Sequence, residues 1–301
     1  MDEHDSKNMD EPMIDAVPVE SLYQFYLEDF ETIKRSKMIE VFNLDTYQGK
    51  VKDPETGYDS TNGCTVIAPL IAAQHLKSVY PGISDLHIEN VIDLQAPKVL
   101  ADVRTKLNLP KDALIIPSDV HDFLLDKSIL KQEQFLGACG GNIQDEDHLG
   151  AFINMLAAKG TKEKRSNGYK KVAAALFFHE HVISVIKMVF PNGKCWYDVV
   201  DSLPYEKEKN VKPKRKCNFK FFGINNGESK VEEESAEEFC ALRIRCKDLR
   251  SLEAALKWYS LSKFTDDDCT YINSHHWDEK RCYFDPRVFQ AFVWTDLAQG
   301  I

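Results

Sequence analysis

Three residue types needed for acyl transfer through a thiol occur in this 301-residue chain at Cys64, His181 and Asp201. In that chemistry a thiolate attacks a carbonyl carbon, an imidazole accepts and returns the proton, and a carboxylate fixes the imidazole tautomer. Cys64 follows Asp59-Ser60-Thr61-Asn62-Gly63 and precedes Thr65-Val66-Ile67-Ala68-Pro69-Leu70. Apolar residues at Val66, Ile67, Leu70, Ile71, Ala73, Leu76 and Val79 give helical spacing, which Pro81-Gly82 stops. A thiol at the start of a helix meets free backbone N–H groups and the positive end of the dipole, both of which favour thiolate. Pro69 is cheapest where its missing N–H has no helical partner, so the helix is expected to begin near Val66 or to kink at Pro69. Gly63 is read as allowing close approach of a substrate backbone.

His181 opens the apolar run His181-Val182-Ile183-Ser184-Val185-Ile186, and Trp196-Tyr197-Asp198-Val199-Val200-Asp201 returns after Pro191-Asn192-Gly193. The pattern is a hairpin. A turn over Pro191 to Lys194 sets His181 within about one pair of Ser202, close to Asp201. Asp198 then faces Lys187 and is the second choice, reachable through a bulge. His179 shares a face with His181 under period-two alternation and is the competing base. For the oxyanion of the tetrahedral intermediate, the backbone N–H of Cys64 and the Asn62 amide are the candidate donors, ahead of Tyr58 and Ser60. Asn62 reads equally well as an ordinary Asn-Gly turn residue.

These blocks resemble the papain-like cysteine peptidases. Asn62-Gly63-Cys64 with the following Thr-Val-Ile-Ala-Pro-Leu-Ile-Ala is similar to their nucleophile helix, and Leu176 to Ser184 and Trp196 to Leu203 to their His and Asp/Asn strands. The order Cys, His, Asp is that of the superfamily, and josephin-type and MINDY-type deubiquitinases are nearest in texture. The resemblance implies a thiol-dependent hydrolase of peptide or isopeptide bonds acting on a protein or peptide substrate, ubiquitin-like proteins among them. Many members carry a Gln five or six residues before the Cys, where this chain has Tyr58 and Asp59. An Asp third member also occurs in transglutaminase-like and arylamine acetyltransferase-like relatives. Transfer of the acyl group to an amine, and an inactive papain-like binding module, are therefore the alternatives.

The elements that must position these residues read as a helical half followed by a sheet half, an α+β chain. Val19, Leu22, Phe25, Tyr26 and Phe30 have helical spacing; Met38 to Phe42 reads as a strand, and Asp45 to Gly63 as a long turn-rich loop. Residues 88–157 read mainly as helices, one capped by Ser118 and one from near Asp145 to Leu156, with Gly140-Gly141-Asn142 as the turn between them. Ala241 to Arg245 reads as a strand, and Ser251 to Phe264 as an amphipathic helix with Leu252, Ala255, Leu256 and Tyr259 inward. The aromatic tail from Tyr283 to Trp294 is expected in the core. Residues 1–17 lack periodicity and are expected to be disordered, with 18–301 as one domain.

The formal net charge of −10 argues against a nucleic-acid partner. A basic run (Lys207, Lys209, Lys212, Lys214, Arg215, Lys216) followed by Glu232 to Glu238 marks a charged, solvated insertion at about 205–238. No apolar run approaches the roughly 20 residues that cross a bilayer, so no membrane partner is expected. The acidic start MDEHDSKNMDEPM is not an export signal, and the eight Cys are expected as free thiols in a reducing cytoplasm or nucleus. Cys269, His275, His276 and Cys282 lack the tight pairs of structural zinc sites, and no phosphate-binding loop occurs, so no cofactor or metal is expected.

Overall fold

The computed structural model describes residues 17–110, 113–157, 171–206, 239–280 and 282–296. The strands β1 (Ile39–Asn43), β2 (Phe135–Asn142), β3 (Lys171–Phe178), β4 (His181–Val189), β5 (Cys195–Glu206), β6 (Phe239–Cys246) and β7 (Val288–Thr295) form one antiparallel sheet of order β1-β6-β5-β4-β3-β7-β2. The helices are α1 (Val19–Arg35), α2 (Cys64–Lys77), α3 (Asp85–Asn90), α4 (Ala96–Leu107), α5 (Pro117–Asp126), α6 (Glu146–Ala157), α7 (Leu249–Leu261) and α8 (Asp266–Ser274), and a π-helical turn, Val91–Gln95, joins α3 to α4. The class is α+β.

Strands β3 and β4 read as continuous apolar runs because both faces of the sheet are covered. On one face, Ala173, Ala175, Val182, Ile186, Val200 and Ala241 pack against α2, which is in turn covered by Leu100 and Val103 of α4 and Val120 and Leu124 of α5. On the other face, Leu176, Phe178, Ile183, Val185, Tyr197 and Val199 meet Leu252, Ala255, Leu256 and Tyr259 of α7 and Phe152 and Leu156 of α6. Lying between the sheet and other helices, α2 has little polar face; even His75 is buried.

The helix α2 begins at Cys64, two residues earlier than Pro69 led the sequence reading to expect. Its first turn closes with the Ile67 N–H donating to the Gly63 carbonyl at 2.8 Å. Pro69 therefore lies inside the helix and forgoes one bond, to the Thr65 carbonyl. Beside it, Ser184 Oγ of β4 donates to the Ala68 carbonyl at 2.8 Å and ties the helix to the sheet.

Other expectations are corrected. Gly140-Gly141-Asn142 is the end of β2, paired with Gln290, Phe289 and Val288 of β7, and not an interhelical turn. A glycine-rich strand has no hydrophobic period, and its partner lies far along the chain. Ser118 sits inside α5, because Pro117 takes the first helical position and Ile116 caps it. Tyr205 and Glu206 belong to β5, so the strand runs past the expected start of the insertion at 205. Of the aromatic tail, Phe289 and Trp294 are buried in β7, whereas Tyr283 and Phe284 are 87% and 96% exposed. The expected disordered segment 1–17, apart from Val17, and the insertion from 207 to 238 lie outside the described residues. Among the described residues, no helix is long and apolar enough to cross a membrane.

Candidate active site

Cys64 is the first residue of α2 and is 6% exposed. A tight turn sets it there: Gly63 N–H donates to the Ser60 carbonyl at 3.0 Å, and Asn62 has φ 55°. A Cβ on Gly63 would stand 2.6 Å from the Ser60 carbonyl oxygen and 3.2 Å from Leu100 Cδ2. The turn's own packing thus requires Gly63. The Cys64 sulfur accepts the backbone N–H of Val182, with help from the Thr65 N–H. The β4–β5 ladder extends from Val189↔Cys195 to Ser184↔Val200; past that point the Val182 amide turns to the thiol. Burial pushes the thiol up to about 11, against the pull of the Val182 N–H, and the Asp201 charge adds to the rise.

His181 is the first residue of β4 and pairs with Phe178 across the two-residue turn His179-Glu180. Both turn residues have positive φ, 46° and 61°, as a tight hairpin requires. His179 is consequently a turn residue and does not alternate on the strand with His181. Its Nε2 lies 3.2 Å from Asp268 Oδ2 of α8, with its ring centroid 6.5 Å from that of His181. Burial pushes His181 down to about 4; the Asp201 charge opposes this, and Lys263 and His179 add to it.

Asp201 is buried on β5. Its Oδ1 accepts the Leu203 N–H at 3.0 Å, and its Oδ2 accepts the hydroxyls of Tyr259, at 2.5 Å, and Tyr205. Lys263 Nζ lies 3.4 Å from the same Oδ2 and also meets the Tyr205 hydroxyl. Burial alone would raise this carboxyl, but Lys263, the two hydroxyls and the Leu203 N–H hold it below the usual carboxylate range.

Asp198 has different surroundings. It pairs with Ile186, not Lys187, because the hairpin loop is Pro191-Asn192-Gly193, one residue shorter than expected, closed by Phe190 N–H on the Lys194 carbonyl at 2.9 Å. Its carboxylate is held by Arg243 Nε at 2.8 Å and Arg245 Nε at 2.9 Å. Arg243 also reaches the Ile83 carbonyl and Asp85. Alternation puts Asp198 on the face that meets α2, opposite to that of Asp201 and Tyr259.

Gln48, in the loop before Cys64, was missed by the sequence reading. Its N–H donates to the Ser202 carbonyl at 2.8 Å and its Oε1 accepts Ser202 Oγ at 3.1 Å. The next residue, Gly49, has φ +89° and donates its N–H to Ser60 Oγ at 3.0 Å. Gln48 is thus clamped between the neighbour of Asp201 and the turn leading into Cys64. Of the other donors read from the sequence, Ser60 Oγ is engaged by the Gly49 N–H and Tyr58 is exposed. The Gln48-Gly49 turn was visible in the sequence, but nothing local connected it to Ser202. Lys263, Tyr205 and Tyr259 were likewise not singled out as site residues.

Just past α8, His275 stacks on Tyr271 with ring centroids 4.1 Å apart, and no group of three or more His, Cys, Asp or Glu that could hold a metal ion occurs among the described residues. Compared with protein-family models, with curated proteins and with solved structures, the chain matches none.

Proposed function

We propose that the protein is a papain-like thiol enzyme that cleaves peptide or isopeptide bonds, with Cys64 as nucleophile, His181 as general base and Asp201 as the carboxylate behind the base. One observation carries this reading. The Cys64 sulfur sits on the N–H of Val182, the covalent neighbour of His181, and the Asp201 charge acts on both Cys64 and His181. Burial leaves thiol and imidazole neutral at rest, which suits general-base attack. As the sulfur bonds to the carbonyl carbon, its proton passes to His181. The C–N bond then breaks as His181 returns that proton to the amine. Water, deprotonated by His181, releases the acid and restores the thiol. The Cys64 N–H with the Gln48 or Asn62 amide would receive the oxyanion. The free thiols Cys64, Cys139, Cys195, Cys240, Cys246, Cys269 and Cys282 suit a reducing compartment, the cytoplasm or nucleus.

A ubiquitin-like protein bearing a C-terminal electrophile is expected to label the wild type at Cys64 and to leave Cys64→Ala unlabelled. A second reading, an inactive papain-like fold that binds a protein partner, is favoured by the burial of a thiol pushed up to about 11. Folded wild-type protein that resists every such probe and small thiol reagents alike would support that reading over the enzyme.

A further inference from the structure

Lys263 is a buried cation with no part in the chemistry above, and it shares its counter-ion with the proposed base. Its Nζ lies 3.4 Å from Asp201 Oδ2, against the Tyr205 hydroxyl, and over the rings of Tyr205 and Tyr259 at 4.4 and 4.6 Å from their centroids. The charge of the same carboxylate acts on the His181 imidazole.

Resting on the reading of His181 as the base, we propose that Lys263 is a positioning residue of this site: its ammonium engages the Asp201 carboxylate and so competes with an imidazolium at His181 for that charge. Hydroxyls of Tyr205 and Tyr259 and the Leu203 N–H hold the anion in place but supply no positive charge. Lys263 supplies it, and in doing so competes with an imidazolium for the same carboxylate charge. The charged groups facing His181 act with opposite signs. From β5 comes Asp201, which favours the imidazolium; from the chain after α7 comes Lys263, and from the turn His179, both of which oppose it. The remaining neighbours of the cluster are Cys64 of α2 and the Tyr205 and Tyr259 phenols, all neutral at physiological pH, and Asp268 of α8, which is paired to His179.

The test is a titration of the His181 ring by NMR in wild type, Lys263→Met, Lys263→Gln and Lys263→Arg. The wild-type midpoint is expected well below the ordinary imidazole value. Lys263→Met should raise it by roughly one unit, a tenfold gain in proton affinity, and Lys263→Arg should leave it near wild type. Lys263→Gln keeps an N–H donor for Asp201 and Tyr205 and removes only the charge, so it preserves the test if the methionine variant does not fold. An unchanged His181 midpoint in a folded, uncharged variant would overturn the proposal. This readout does not depend on turnover. Probe labelling of Cys64 in the same variants reports separately on the enzyme reading, so either idea can fail without the other.

Discussion

At Cys64 and His181, burial dominates. Both groups are pushed toward their neutral forms, the thiol up to about 11 and the imidazole down to about 4, and the surrounding charges act in both directions on top of this. His75 of α2 behaves in the same way: fully enclosed, with Nε2 donating to the Lys187 carbonyl at 2.9 Å, it is pushed down to about 4 by burial and by Lys171. Because these imidazoles bind protons more readily in the unfolded chain, they favour folding fully above the ordinary value of 6.5, and this stability is lost as pH falls from there toward 4. For His75 the loss is on the order of 2–3 kcal/mol. Denaturant titrations at pH 7, 5.5 and 4.5 should show the decline, and His75→Gln should flatten part of it. Identical slopes in wild type and variant would show that His75 carries no such linkage.

At the scale of the elements, the two aspartates of β5 divide the work. Asp201 faces α7 and the polar cluster around Lys263, whereas Asp198 faces the α2 side and anchors Arg243 and Arg245. Asp198→Ala would leave the buried Arg243 without its main counter-charge. It should cost about 3–5 kcal/mol of unfolding free energy, measured by denaturant titration, while Cys64 in the remaining folded protein still reacts with the electrophilic probe. Asp201→Asn should instead suppress that reaction. Normal stability in Asp198→Ala would show that the arginines find other partners. Much of this hairpin was legible from period-two alternation and the Pro-Asn-Gly turn. The register was off by one residue because loop length decides it, and the local sequence does not distinguish a three-residue from a four-residue loop. His179 was misread for a related reason. It is the first residue of a two-residue turn, and the apolar run on either side conceals the break. The contacts of Gln48 with Ser202 and of Lys263 with Asp201 were invisible in the sequence because the partners lie far away in the chain.

Over the whole molecule, the sheet joins parts of the chain remote in sequence. Ile39 of β1 pairs with Cys246 of β6, and Phe135 of β2 with Trp294 of β7. The last strand lies between β3 and β2, pairing with both. A chain ending at Pro286 would thus lose the strand that links β2 to the rest of the sheet. It should show no cooperative unfolding transition, and exchange of β3 amides with solvent should be fast. A cooperative transition in that truncation would mean that β2 closes directly onto β3.

The place of β7 also bears on how the protein is made. During synthesis, β1 can meet β6 as soon as residue 246 has left the ribosome, and β3, β4 and β5 can pair before that. One edge of β3 and one edge of β2 stay open until residues 288–295 emerge. At roughly 5–20 residues per second, that interval lasts several seconds. For that time the nascent chain exposes the uncharged edges KVAAALFF, apart from its first lysine, and FLGACGGN. Such edges invite pairing with other chains, so the nascent chain is most prone to aggregate before residues 288–295 arrive.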